Sequence, residues 1–390
     1  MWKSTGKLAD GREIIYFDES AGLHRAELPD RRDLSADATP AHGQGAAEAE
    51  LRWDSVVGEW VVIAAQRQDR TFLPPNDECP LCPSTPGRLT EIPAPDYDVL
   101  VFENRFPSLH GVASGDSGPV ARGAAGLAQP AGPGPQAPRV GPGPQAPRAA
   151  FGRCEVVCFT ADHNASFAGL TPRRVGTVIE AWADRTAVLG AAAGVAQVYC
   201  FENRGEEIGV TLHHPHGQIY AFPFITPRTQ QMLAQARAHA AAGLGNLFDD
   251  LLAGELADGS RIVARNEHWI AFVPVAARWP YEVMLYPAVR APDLPAVSEA
   301  ARAAFGEVYL DVLRRLDALF GIRMPYIAAW HQAPGTDPFA RREFGLHLQV
   351  ISVRRAAGKL KYLAGTESGM GVWINDVTPE AAAKSLREAR

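Results

Sequence analysis

The chain has 390 residues, 46% of them hydrophobic, which is enough for two ordinary hydrophobic cores. Its 38 basic and 44 acidic residues give a net charge of -6 without a long basic run, so nucleic acid is excluded as an expected partner. The sequence has neither a signal peptide's apolar core nor the ~18 apolar residues of a membrane helix, and its few cysteines fit a reducing compartment, so we expect a cytoplasmic, membrane-free protein.

Two stretches of the chain have compositions that predict little structure. Residues 1–50 are polar and predict a loosely attached leader with one possible strand, Arg12 to Phe17, so the folded body is expected to start near Leu51. Residues 111–150 are rich in Pro, Gly and Ala and contain the octapeptide Gly-Pro-Gly-Pro-Gln-Ala-Pro-Arg twice. Such a segment buries too little apolar surface to offset its ordering entropy, which predicts a disordered insertion.

The rest of the chain mixes strand and helix patterns. Segments rich in β-branched and aromatic residues predict strands at 59–63, 98–102, 155–159 and 197–201. Helical spacing of apolar residues predicts helices at 175–190 and 308–319, and Thr226-Pro227 is a typical N-cap and first-turn pair for a third. The order predicts an α+β fold in which antiparallel sheets are flanked by helices.

The two halves of the body also resemble each other. Asn104-Arg105-Phe106-Pro107 precedes one strand much as Asn266-Glu267-His268-Trp269 precedes another, and each half ends in a strand with alternating polar residues. Those strands begin at His214 and His347. We therefore predict an ancient duplication, with an N-terminal catalytic lobe at residues 51–225 and a C-terminal lobe at residues 226–390.

A Cys-x-x-Cys motif indicates a metal site. The thiolates of Cys79 and Cys82 can hold one side of a tetrahedral zinc ion, and His163 and His214 would complete a Cys₂His₂ set. The alternative is a redox pair or two cysteines without a ligand.

The segment His213-His214-Pro215-His216-Gly217-Gln218 is the strongest indication of chemistry in the chain. In an extended strand its alternate residues His214, His216 and Gln218 share one face. A neutral His216 could attack phosphorus and then depart as a leaving group, while Gln218 donates to a phosphoryl oxygen. The alternative is that the three histidines are metal ligands or hydrogen-bonded core residues. Arg67 and Arg70 could pair with phosphates, although arginines three apart are more often a solvated face.

Taken in order, these motifs resemble the galactose-1-phosphate uridylyltransferase family, a branch of the histidine-triad superfamily, over most of residues 51–376. The resemblance rests on motifs that keep the family's order along the chain: Gly58-Glu59-Trp60, Arg67, Arg70, Cys79-x-x-Cys82, Asn104-Arg105-Phe106-Pro107, His163, Phe201-Glu202-Asn203-Arg204-Gly205, His214-Pro215-His216-Gly217-Gln218, Trp330-His331, His347 and Lys361-Tyr362. It implies two histidine-triad-like lobes.

The resemblance also implies an activity in galactose metabolism. His216 would take UMP from UDP-glucose as a covalent uridylyl-histidine and pass it to galactose-1-phosphate, with ping-pong kinetics. Gln218 would hold the transferred phosphoryl group, and a structural zinc would be the cofactor, held by Cys79, Cys82, His163 and His214. A homodimer is implied as well. The implied substrate contacts are Arg67, Arg70, Asn104, Asn203, Gly209, Thr211, Lys361 and Glu367.

The sequence departs from the family pattern in three places. A second metal site of some members keeps only His331 and His347 here, with Gln349 at the third histidine position, so we predict that this site is weakened or absent. The glutamine expected after Lys361 and Glu367 is missing around Trp373. Arg105 stands where some members carry an aspartate.

An alternative function within the superfamily is a nucleotide phosphorylase or adenylyltransferase that acts on an adenine nucleotide such as ADP-glucose. A nucleotide-binding protein without turnover is a third possibility.

Overall fold

A computed structural model describes residues 1–34, 49–69, 71–112 and 146–390 of the chain. Most of the predicted insertion at 111–150 and the second part of the leader lie outside the described residues. Within the described residues, no helix combines the length and the apolar character that crossing a bilayer requires.

The described residues contain strands and helices in mixed order, as the α+β prediction requires. The strands are β1 (Trp2–Lys7), β2 (Glu13–Asp18), β3 (Glu50–Asp54), β4 (Glu59–Ile63), β5 (Val99–Glu103), β6 (His110–Gly111), β7 (Arg148–Ala149), β8 (Phe151–Cys158), β9 (Gln197–Arg204), β10 (His216–Phe222), β11 (Ile262–Arg265), β12 (Trp269–Phe272), β13 (Tyr281–Pro287), β14 (Tyr326–His331), β15 (His347–Ser352), β16 (Arg354–Ala356) and β17 (Lys359–Leu360). The helices are α1 (Pro172–Gly190), α2 (Pro227–Ala241), α3 (Leu247–Asp258), α4 (Glu299–Phe320), α5 (Pro338–Glu343), α6 (Gly365–Met370) and α7 (Pro379–Glu388).

One large sheet runs through the molecule in the order β1-β2-β5-β8-β10-β9-β14-β15-β13-β12-β11. Every pairing along this path is antiparallel, while the short β6 pairs in parallel with β8. A second sheet, β4-β3-β7, and the hairpin β16-β17 lie apart from it. The mixed helix and antiparallel sheet architecture confirms the predicted fold class.

The sheet has the same winding in its two halves. In the first half β10 lies between β8 and β9, and α1 connects those two strands in sequence. In the second half β15 lies between β13 and β14, and α4 makes the equivalent connection. The halves meet where β9 pairs with β14, so β10 and β15 occupy equivalent positions.

The repeated strand order agrees with the predicted duplication. The two asparagine motifs, however, do not occupy equivalent positions in the two halves. Asn104 follows β5, whereas Asn266 precedes β12, the strand that the sheet order matches with β5. The two asparagine motifs are therefore not equivalent. The lobe boundary at residues 225–226 stays a prediction.

The two long helices cover one face of the sheet and enclose its main core. Helix α1 begins where Thr171 accepts a hydrogen bond from the backbone N–H of Arg174, with Pro172 in the first turn. The buried aromatic rings of Trp182 on α1 and Trp330 on β14 pack edge to face, with centroids 6.2 Å apart. Burying a side chain of this size stabilises a fold by roughly 2–3 kcal/mol. On the opposite face, β2, β5 and β8 contribute to a second buried cluster that includes Ile14, Tyr16, Leu100 and Phe102.

The prediction of a loosely attached leader was wrong for residues 2–18. Strands β1 and β2 extend the main sheet, and β2 pairs with β5. Ile14, Ile15, Tyr16 and Phe17 are almost fully buried there. This apolar run is short and is surrounded by polar residues, so the average composition of residues 1–50 did not indicate that it is buried.

Candidate active site and metal centre

The strand predicted to carry the chemistry is β10, and it begins at His216. His216 and Gln218 are half-buried on one face, while Gly217 and Ile219 are buried on the other. A side chain at Gly217 would meet the carbonyl oxygen of Phe201 at 2.7 Å, so glycine is required beside the nucleophile candidate. His214 precedes the strand instead of sharing its face, which corrects one detail of the prediction.

The imidazole of His216 is held in a reactive tautomer. Its Nδ1–H donates to the carbonyl oxygen of His214 over 2.7 Å, because a carbonyl can only accept. The lone pair of the ring is therefore on Nε2. Burial lowers the pKa of His216 below 6.5, so the ring is neutral at physiological pH. A neutral imidazole with a free Nε2 is what nucleophilic attack requires.

Two cavities flank His216, and its side chain lines each of them. The larger cavity has a volume of about 630 Å³ and the smaller about 110 Å³. Four other predicted site residues line the smaller cavity: Arg67, Asn104, Thr211 and Gln218. Three more line the larger cavity: His163, Asn203 and His214. The histidine is thus placed between two binding spaces.

The smaller cavity combines an apolar wall with directed polar groups. Leu81, Phe102 and Val156 supply the apolar surface. Arg67 is fixed by hydrogen bonds to Ser108 Oγ at 2.8 Å and Tyr220 Oη at 3.2 Å. The amide oxygen of Gln218 is buried and has no partner within the described residues, so this amide has hydrogen-bonding capacity left for a ligand.

The predicted zinc ligands come together on the other side of the nucleophile. Among the described residues, Cys79, Cys82, His163 and His214 form the one group of three or more potential ligands, with all ligand atoms within 4.8 Å of one another. Cys82 Sγ lies 3.4 Å from His163 Nδ1 and 3.6 Å from His214 Nδ1. Tetrahedral zinc with ordinary bond lengths places such ligand atoms roughly 3.3–3.8 Å apart, so the residues fit a metal.

Hydrogen bonds at Nε2 orient the rings of His163 and His214 so that each Nδ1 faces the centre of this group. His214 Nε2–H donates to the carbonyl oxygen of Thr160 over 2.8 Å, and Tyr97 Oη lies 2.7 Å from the same nitrogen. His163 Nε2 lies 2.9 Å from Asn76 Oδ1, which can only accept. In each ring the Nδ1 lone pair is left for the metal, an orientation typical of metal-binding histidines.

The second pair of histidines does not form such a centre. The rings of His331 and His347 stack with centroids 4.8 Å apart, and His331 Nε2 lies 3.1 Å from Gln349 Oε1. Burial and the positive charge of Arg228 lower the pKa of His347 to about 4. The guanidinium group of Arg228 lies beside the two histidines and disfavours a second cation. Within the described part of the chain, the two histidines belong to no group of three potential metal ligands.

Some predicted substrate contacts lie away from the two cavities. Lys361 Nζ binds Glu367 Oε1 at 3.0 Å, and both residues are buried in the C-terminal part of the chain. Gly209 adopts a left-handed conformation with φ 81° and lines neither cavity. Arg70 lies outside the described residues. The structure therefore places Lys361, Glu367 and Gly209 away from the two cavities.

Sequence reasoning missed several residues of the site. The apolar wall of the smaller cavity carries no motif, because Leu81, Phe102 and Val156 look like ordinary core residues in sequence. Glu202 and Arg323 line the larger cavity without having been assigned a role. The position of Glu202 inside the motif Phe201-Glu202-Asn203 was an available signal, whereas nothing in the sequence marks Arg323.

Comparisons with known proteins agree on one family. The model of the galactose-1-phosphate uridyl transferase N-terminal domain matches residues 145–226, and that of the C-terminal domain matches residues 232–390. A galactose-1-phosphate uridylyltransferase of Streptomyces lividans is 46% identical over 403 aligned residues, covering 100% of this chain and 98% of the relative. Its counterpart in Thermotoga maritima is 35% identical, covering 87% and 98%.

Solved structures give the same picture. A uridylyltransferase structure superposes with a TM-score of 0.70 at 29% identity, covering 87% of this chain and 97% of the other. An ADP-glucose phosphorylase from Arabidopsis thaliana superposes with a TM-score of 0.62 at 20% identity, covering 88% and 99%. At that identity the second likeness shows a shared fold alone.

Proposed function

Because the chain belongs to the galactose-1-phosphate uridylyltransferase family, we propose that it exchanges UMP between UDP-glucose and galactose-1-phosphate. The observation that carries this proposal is the neutral His216, which lines both cavities and donates its Nδ1–H to a backbone carbonyl. Its Nε2 has no hydrogen-bond partner among the described residues. The enzyme is thus a nucleotidyltransferase of galactose metabolism.

The reaction proceeds in two displacements at the same phosphorus. His216 Nε2 attacks the α-phosphorus of UDP-glucose, and the bond to glucose-1-phosphate breaks, which leaves UMP on the histidine. A phosphate oxygen of galactose-1-phosphate then attacks that phosphorus, the N–P bond breaks, and UDP-galactose departs from a neutral His216. Each step has a good leaving group, which is the advantage of covalent catalysis by imidazole.

The nucleotide occupies the smaller cavity in this proposal. The apolar wall formed by Leu81, Phe102 and Val156 suits a base, and Asn104 and Thr211 offer hydrogen bonds. Arg67 supplies a positive charge for a phosphate, and Gln218 donates to the transferred phosphoryl group without adding charge. Arg70 and Gly209 stay predicted nucleotide contacts, as does Asn203.

A structural zinc held by Cys79, Cys82, His163 and His214 is the proposed cofactor, since all four positions of a tetrahedral ion are filled by protein. The ion would hold the side chain of His214. The backbone carbonyl of His214 accepts a hydrogen bond from His216, so a predicted zinc ligand directly contacts the predicted nucleophile. His214 thereby becomes a positioning residue.

We further propose that the enzyme acts as a homodimer, in which Lys361 and Glu367 serve the partner's site. Support comes from their placement, because both lie apart from the two cavities of their own chain. Exposed apolar side chains flank them, among them Tyr362 and Met370. The cytoplasmic location expected from the sequence stays a prediction.

Intact-mass measurement after incubation with UDP-glucose tests the proposal. The wild-type mass should rise by one uridylyl group, and His216→Asn should prevent the increase while leaving the fold intact. Galactose-1-phosphate should then remove the label and release UDP-galactose.

Other outcomes decide among the alternatives. Labelling by ADP-glucose and not by UDP-glucose would favour the adenylyl-transferring function. Binding of either nucleotide without any covalent label would favour a protein that binds nucleotides without turnover.

A further inference from the structure

The larger cavity is lined by both carboxyl and guanidinium groups. Three carboxyl groups line it, and each has a partner. Glu206 Oε1 lies 3.3 Å from His213 Nε2, Glu207 accepts from Arg354 at 2.9 Å, and Glu202 accepts from the hydroxyl of Tyr326 at 2.8 Å. None of these three contacts involves Arg323, which also lines the cavity.

Two guanidinium groups line the same cavity, and they differ in how they are used. Arg204 pairs with Asp317 and also donates to the carbonyl oxygen of Met324 at 2.7 and 2.9 Å. Arg323 is exposed and makes one hydrogen bond within the described residues, from Nη2 to the carbonyl oxygen of Asn164 at 3.0 Å. Its remaining N–H groups are free to bind an anion.

The position of Arg323 ties it to the reacting histidine. It lies just before β14, in the second half of the sheet, and its bond to Asn164 reaches the loop that carries His163 in the first half. Its side chain therefore closes the wall of a cavity that also contains His216. An anion entering this cavity meets one guanidinium group that is not already paired.

We propose that Arg323 binds the phosphate group of the sugar 1-phosphate. This sugar phosphate is glucose-1-phosphate as it leaves in the first displacement and galactose-1-phosphate as it attacks in the second. The inference rests on the proposed function and deepens it. The nucleotide uses the smaller cavity with Arg67 and Gln218, so the larger cavity of about 630 Å³ receives the sugar phosphate. A guanidinium fork is well suited to phosphate oxygens.

Titration calorimetry with glucose-1-phosphate and, separately, with UMP tests this assignment. Arg323→Ala should weaken binding of glucose-1-phosphate by about tenfold or more and leave UMP binding within about twofold. Arg323→Lys should lie between the two, because lysine keeps the charge without the fork. Arg265→Ala is the matched control, since it removes an exposed arginine that lines neither cavity, and it should change neither affinity.

Two results would overturn the assignment. Unchanged binding of glucose-1-phosphate to Arg323→Ala would show that the residue makes no contact with the sugar phosphate. An equal loss of UMP affinity would show a general structural effect. If the alanine variant does not fold, the comparison of Arg323→Gln with Arg323→Lys decides in the same way. Failure of the proposed function is distinguishable, because the wild type itself would then take no label from UDP-glucose.

Discussion

His216 and His347 are the same residue in two equivalent places, yet their surroundings differ completely. Each is the first residue of the central strand of its half, and each donates from Nδ1 to the carbonyl oxygen two residues earlier, at 2.7 Å and 2.8 Å. His216 lines two cavities. His347 is 1% exposed and stacks on the ring of Tyr286 at 4.8 Å.

The difference shows that strand geometry sets the tautomer, whereas the covering residues decide reactivity. Both rings have the proton on Nδ1 and are kept neutral by burial, so neither property distinguishes them. What distinguishes them is access to Nε2. The first half leaves space for substrates beside its histidine, and the second half fills that space with aromatic rings.

The largest expected effect comes from substituting the two histidines in parallel. His216→Asn should lower uridyl transfer by at least about 10³-fold, because the covalent route is lost. His347→Asn should still form the covalent label with UDP-glucose, even if its melting temperature falls. Intact-mass labelling of the two variants makes the comparison, and loss of labelling in His347→Asn with an intact fold would contradict it.

The next largest difference between the two halves should be in their metal content. We expect about one zinc per chain, held in the first half, and none at His331 and His347. Cys79→Ser should remove the zinc and lower the free energy of unfolding by about 3 kcal/mol or more, because metal-binding energy contributes to folding. His331→Gln should leave the zinc content unchanged. Elemental analysis giving two metals per chain would show that the second half binds one as well.

The two glutamines give a smaller contrast. Gln218→Ala should reduce the rate of uridyl transfer by about 10²-fold, since one donor to the phosphoryl oxygen is lost. Gln349 instead lies within a buried network with His331 and Glu282, so Gln349→Ala should lower the melting temperature and spare the rate. Steady-state rates and thermal denaturation of both variants make the test. A rate loss of equal size in Gln349→Ala would remove the distinction.

The smallest expected effect is a pH dependence of stability. His347 has its pKa lowered to about 4 by burial, while the unfolded chain titrates near 6.5. The unfolded state therefore binds more protons between these values, and stability falls as the pH drops from 6.5 towards 4. The contribution of His347 is roughly 2–3 kcal/mol. Urea unfolding at several pH values should show a shallower dependence for His347→Gln, and an unchanged slope would refute this account.

Local chemistry could be predicted from the sequence where spacing alone determines it. The period of two along a strand predicted that His216 and Gln218 share one face. The spacing Cys79-x-x-Cys82 predicted that both thiolates can bind the same metal ion. The structure also confirms strand and helix type for the predicted segments 59–63, 98–102, 155–159, 175–190, 197–201 and 308–319, with shifts at their ends.

Features that depend on distant partners could not be predicted. Nothing in β9 or β14 indicates that they pair, because antiparallel neighbours far apart in sequence are chosen by the whole sheet. Strand β2 lies within a stretch whose average composition is polar, and its burial depends on β5. Arg323 gains its place in the cavity through the turn before β14. In each case the missing information is a tertiary contact.

The pairing of β9 with β14 has a consequence for how the enzyme can move. The antiparallel ladder pairs residues 201–204 of β9 with β14 across the middle of the sheet, so the two halves share one continuous sheet. We therefore expect the two halves to keep their relative positions when substrates bind. Either half produced alone would expose a long unpaired strand edge, which invites aggregation.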